Sequence, residues 1–68
     1  MKHVTGKDMC RALERFGWTL ERIKGSHHIY SHPAHVFPIP VPIHGNKDLK
    51  TGTQKSIMRA AGLTDDDL

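Results

Sequence analysis

The chain has one cysteine, Cys10, in 68 residues. A lone thiol excludes an internal disulfide, so no covalent framework holds the fold. Aromatic side chains are also scarce, with one tryptophan, one tyrosine and two phenylalanines, and the core must therefore be built chiefly from aliphatic residues. No apolar run reaches the length of a membrane span, and the opening "MKHVTGKDMC" lacks the apolar stretch of a secretory leader. The expectation is a cytoplasmic protein without membrane association, in which Cys10 is a small apolar filler beside a helix stripe rather than a nucleophile. Repeats and low-complexity segments are absent as well. A length of 68 residues supports one domain, residues 1–68, near the small end of what folds without disulfides or metal.

What is present in excess is positive charge. Lys and Arg number 10 against 7 Asp and Glu, a net charge of +3, and three of the acids, Asp65, Asp66 and Asp67, crowd into the acidic tail 64–68. Without them the net charge is +6. A small basic domain suits an anionic partner, nucleic acid being the usual one, and the tail reads as a solvated end.

The pattern along the chain gives an α+β order. "VTGKDMCRALERFGW" predicts an amphipathic helix with Thr5 as N-cap, Asp8 closing a capping box, and Met9, Leu13 and Phe16 at helical spacing before Gly17. "WTLERIK" and "SHHIYSH" read as two strands joined by a tight turn near Gly25. In "VFPIPVPI", Phe37, Ile39, Val41 and Ile43 share one face and Pro38, Pro40 and Pro42 the other. Prolines at every second position delete donors along one lateral side only, which marks an edge strand protected from further pairing. A turn at Gly45-Asn46 then leads to a second helix, with Thr51 as N-cap, Gln54 closing a capping box, an apolar stripe of Ile57, Met58 and Ala61, and Gly62 as the stop. The expected architecture is helix-strand-strand-strand-helix, a two-layer α+β sandwich with both helices on one face of an antiparallel sheet.

Five of the six histidines fall between positions 27 and 44. They match no zinc-ligand spacing and have no partner cysteines, so no metal site is assigned. Taken residue by residue, most read as half-exposed strand and turn side chains. A different role is open to His27, which a glycine turn delivers at the start of a strand beside lysines. Imidazole accepts and returns protons near neutral pH, and RNA carries its own nucleophile in the 2′-hydroxyl, so a base and a few cations suffice for cleavage without metal, cysteine or any other cofactor. Strand alternation lets only one of His27 and His28 face a nucleic acid, and sends the other toward the core or a helix. Ser26 either bonds phosphate or stabilises the turn. Lys24, Lys47, Lys50 and Lys55 form either a phosphate-binding rim or an ordinary solvated face, and Trp18 and Tyr30 read as packing residues before base-stacking ones.

The combination of "TGKDMCRALERFGW", "KGSHHIY", "PVPIHGNKDLKTGT" and "IMRAAGL" resembles the HicA-type toxins, the mRNA interferases of HicA/HicB toxin-antitoxin systems, from about Val4 to Leu63. The resemblance implies a fold similar to the double-stranded RNA-binding domain, cleavage of mRNA to arrest translation, and neutralisation by a HicB-type antitoxin that masks the active site. It also implies that the histidine of the Gly-Ser-His element, His27 here, is catalytic, with Gly25 and Ser26 before it. The Pro-x-His-Gly element falls on Pro42, His44 and Gly45 and carries no assigned role. The third strand is richer in proline, and the chain richer in histidine, than the family pattern. The free protein is expected to be monomeric, and a non-catalytic RNA-binding module of the same fold is the alternative reading.

Overall fold

Thr5 starts the first helix as its sequence position predicts. In the computed structural model, which describes residues 1–68, the Thr5 hydroxyl accepts from the Asp8 N–H while the Asp8 carboxylate accepts from the Thr5 N–H, a complete capping box on α1 (Gly6–Arg15). Those two Thr5 hydrogen bonds, with the Arg11 guanidinium adding its charge, hold the Asp8 carboxyl below the usual aspartate range. The helix buries Met9, Cys10, Ala12 and Leu13. Burial pushes the Cys10 thiol up, which fits an inert filler.

After Gly17 the chain runs into β1 (Thr19–Lys24) and β2 (His27–Ser31), paired antiparallel through the two-residue loop Gly25-Ser26. Gly25 has φ +58° and Ser26 is not in the left-handed region, the glycine-first pattern of a type II′ hairpin turn, whose twist matches that of the strands. A Cβ at Gly25 would touch nothing; glycine is required there by its dihedral, not by space. β3 (Ile39–Pro42) completes a three-stranded sheet of order β1-β2-β3. It is shorter than the sequence suggests. Val36 and Phe37 are 89% and 81% exposed in the loop before it, so Phe37 does not join Ile39 and Val41 in the core. Pairing continues past Pro42 through the Ile43 N–H, which donates to the Ser26 carbonyl at 2.8 Å. The amides of β3 that point at β2 thus belong to odd-numbered residues, and Pro40 and Pro42 turn their missing donors outward. The edge-strand expectation holds.

α2 (Thr51–Ala61) closes the fold, and Gly62 ends it. Its start differs from expectation: Lys50 is the N-cap, no side chain caps the helix, and Thr51 is already helical. Gln54 is drawn away from any capping role because it is fully buried, where Oε1 accepts from the Val4 N–H at 3.2 Å and Nε2 donates to the Lys2 carbonyl. A buried amide must find partners, and the backbone beside α1 offers them. The same N-terminal stretch is tied to the segment before α2 by a Thr5–Asp48 bridge and by the Leu49 N–H donating to Val4 at 2.8 Å.

Both helices pack on one face of the sheet. Met9, Leu13, Tyr30, Ile39, Val41 and Ile57 are members of one buried cluster with Trp18 and Leu49. The order and layout are the predicted α+β sandwich. The acidic tail is not a free end: Asp65–Asp67 form a short 3₁₀ turn, the Arg15 guanidinium donates to the Asp67 carbonyl at 2.7 Å, and the Met1 ammonium lies 4.0 Å from Asp65. No helix is long and apolar enough to cross a membrane.

Candidate active site

The sheet face opposite the helices is built in rows. Cross-strand partners share a face, and the partners of His27 are Lys24 on β1 and Pro42 on β3. The next row is Arg22, Ile29 and Pro40. His28 belongs to the other face with Val41, and Tyr30 with Ile39. His28 is accordingly half-buried and His27 exposed. Alternation therefore separates the two neighbouring histidines, with His28 on the helix side of the sheet. The His27 imidazole has no protein hydrogen-bond partner, while Pro42, paired without a donor of its own, stands in a non-hydrogen-bonded position where side chains approach most closely.

Sequence reasoning missed Arg22. A regular strand would put Arg22 on the same face as Leu20, toward the helices. The pairing instead jumps from Leu20–Tyr30 to Arg22–Ile29, leaving Glu21 as an extra residue. This bulge turns Arg22 and Lys24 onto the His27 face. A signal was present: the two apolar residues Leu20 and Ile23 are three apart, and they share a strand face only if one residue is inserted between them.

Beyond Pro42 opens a cleft of about 740 Å³ lined by Pro42, His44, Lys47, Asp48, Lys50 and Thr53 among others. It lies between the end of the sheet and the first turn of α2. Lys47 and Lys50 are thus brought together with His44, and Pro42 joins this cleft to the His27 row. Lys24 stands on the far side of His27. Ser26 is exposed in the turn and uses its carbonyl, not its hydroxyl, to hold Ile43. Lys55 is exposed on α2 but outside the cleft.

Trp18, Tyr30, His32 and His35 are occupied elsewhere. Trp18 and Tyr30 are 3% and 2% exposed, which removes both from base stacking. The Tyr30 hydroxyl donates to the Glu14 carboxylate at 2.6 Å, and burial, followed by this bond, pushes the phenol above the ordinary tyrosine range. His32 and His35 pack on Trp18, with ring centroids 5.2 and 4.7 Å away. His32 Nδ1 accepts from the Ala34 N–H at 3.0 Å, so its Nε2 is the donor to the Phe16 carbonyl at 3.2 Å. These two imidazoles are parts of a folded loop.

The face as a whole offers one exposed imidazole at a strand start, cations on both sides of it and an open cleft alongside. Such a surface can receive a phosphodiester and exchange a proton with it. No curated protein matches the chain. The family model described as HicA toxin of bacterial toxin-antitoxin matches residues 6–63, which includes every element from α1 through α2. The protein belongs to the HicA toxin family.

Proposed function

We propose that the chain is a metal-independent endoribonuclease that cleaves mRNA and so arrests translation. His27 acts as its proton-transfer group, and the observation that carries this reading is the exposed placement of His27 between Lys24 and the Pro42 cleft. The 2′-hydroxyl adjacent to the scissile phosphate is the nucleophile. His27 removes its proton as the oxygen attacks phosphorus. Lys24 and Ser26 hold the phosphate on one side of His27, and Lys47 and Lys50 hold the strand across the cleft, while Lys55 extends the positive surface along α2. A point charge suffices for such contacts, and their summed effect is salt-dependent binding. A HicB-type antitoxin covers this same face, which fits a toxin whose cationic groups converge there. The free toxin acts as a monomer.

The test is induced expression of the parent chain, His27→Ala and His28→Ala, with growth and transcript integrity followed together. Growth arrest and RNA cleavage are expected from the parent and from His28→Ala, and neither from a folded His27→Ala. Equal RNA cleavage by folded His27→Ala and the parent would sink the assignment of His27. Salt-sensitive RNA binding without cleavage by any of the three would replace the enzyme with a binding module.

A further inference from the structure

A single imidazole serves only half of an RNA cleavage. The attacking 2′-oxygen must lose a proton, and the departing 5′-oxygen must gain one, because an alkoxide is a poor leaving group at neutral pH. The two oxygens lie on opposite sides of phosphorus in an in-line displacement, so two proton-transfer groups flanking one phosphate serve the step better than one.

We propose that His44 is the second group, the general acid that protonates the 5′-oxygen; this rests on the ribonuclease reading above and extends it. His27 pairs with Pro42, and His44 lies two residues past it, just beyond the end of β3; the line of β3, continued through the Ile43–Ser26 bond, leads to the position diagonal to His27. Diagonal neighbours of this kind are roughly 7–8 Å apart between Cα atoms, a span that two imidazoles can bridge around a phosphate. The geometry is held on both sides of the residue. The Ser26–Ile43 bond at 2.8 Å extends the pairing to the residue before His44, and the Lys47 N–H donates to the His44 carbonyl at 3.1 Å, closing the turn after it. His44 is exposed and lines the same cleft as Pro42, together with the charged groups Lys47, Asp48 and Lys50.

The other candidates are placed elsewhere. His28 is half-buried on the opposite face, and His32 and His35 are packed against Trp18. His3 lines a separate cavity beside Lys2, Asp8 and Arg15. Lys47 and Lys50 fit the clamp, where a flexible point charge is enough to hold phosphate.

The step balances without a further reactant. His27 takes the 2′-hydroxyl proton, the 2′-oxygen to phosphorus bond forms, the phosphorus to 5′-oxygen bond breaks, and the imidazolium of His44 gives its proton to the departing oxygen. The products are a 2′,3′-cyclic phosphate and a free 5′-hydroxyl. His27 ends protonated and His44 neutral, and solvent restores both.

Two versions of one short RNA test this: the natural phosphodiester, and one whose bridging 5′-oxygen is replaced by sulfur, which departs as a thiolate without a proton. His44→Ala and His44→Gln are expected to lose on the order of 10²–10⁴-fold in kcat on the natural RNA and to recover most of it on the sulfur substrate, with the alkaline limb of the pH–rate profile gone. His27→Ala should stay slow on both. An equal loss by the His44 variants on the two substrates, with circular dichroism unchanged, would make His44 a structural or binding residue and overturn the proposal. So would parental rates on natural RNA. Failure of the parent chain to cleave either RNA would instead strike the ribonuclease reading beneath it.

Discussion

Tyr30 on β2 donates its hydroxyl to Glu14 on α1 at 2.6 Å, and so locks the strand that begins at His27 to the first helix. The phenol is buried and its ionisation is pushed above the ordinary tyrosine range, first by burial and then by the Glu14 bond. A group with a raised folded pKa stabilises the fold fully below its unfolded pKa and loses that contribution as pH rises toward the folded one. Stability should therefore fall above about pH 10, with a slope approaching 1.4 kcal/mol per pH unit from this residue. Urea titrations of the parent between pH 8 and pH 11 should show the fall, and Tyr30→Phe should lessen it, leaving the part that the raised Cys10 thiol contributes, while costing roughly 1–2 kcal/mol at neutral pH.

Gly6 is set by space. A Cβ there would fall inside contact distance of the Pro42 carbonyl and of Ile43 Cδ1. Gly6→Ala is expected to cost about 1–3 kcal/mol by overpacking, and to lower kcat beyond any loss of folded protein, because the carbonyl it displaces belongs to the residue flanking His27. Denaturation midpoints and turnover measured well below the midpoint separate the two effects.

Gln54 serves the backbone of the N-terminal stretch, with Val4 and Lys2 as its partners. Gln54→Leu keeps the volume and orphans a buried N–H and a carbonyl. A loss of roughly 2–4 kcal/mol is expected from two unsatisfied groups, and amide exchange at Val4 should accelerate more than exchange in β2. Unchanged protection at Val4 would show that the side-chain bond contributes nothing there.

Arg22 reaches the His27 face through the bulge at Glu21. In a His27→Ala background, where RNA stays intact, Arg22→Ala should weaken binding and reduce the slope of log affinity against log salt by about 0.7, the release expected from one single-strand phosphate contact. Arg22→Lys should restore the slope. A slope indifferent to both changes would place Arg22 outside the RNA path.

Much of this architecture was legible because it depends on local chemistry. Thr5 and Asp8 announce a capping box, Gly25 a turn, and the alternating prolines a strand edge, and each interaction closes within a few residues. The same reasoning failed at Gln54, whose spacing from Thr51 fits a capping box just as well. Its true partners are some fifty residues away in sequence, and nothing local distinguishes the two uses of an amide. Alternation puts Phe37 on one face with Ile39 and Val41, whereas the strand begins only at Ile39. At the site, His27 and Lys24 could be placed by the turn between them. The joining of Pro42 and its cleft to that row, and of Arg22 to its flank, depended on a cross-strand register and a bulge that only the folded sheet displays.

The outward margin of β3 has a consequence for crowded conditions. At Pro40 and Pro42 that margin keeps its carbonyl acceptors and has no amide hydrogens to offer. A foreign strand laid against it would find both outward rungs, Pro40 and Pro42, without a donor, and the start of α1 already crowds the Pro42 carbonyl. Cross-β stacking needs a template that both gives and receives at each level. This margin only receives, so fibrillar growth has nowhere to propagate from it. Dispersal at this edge is secured by donors left out of the backbone instead of by charges added to the side chains, and it persists at salt concentrations that screen charge.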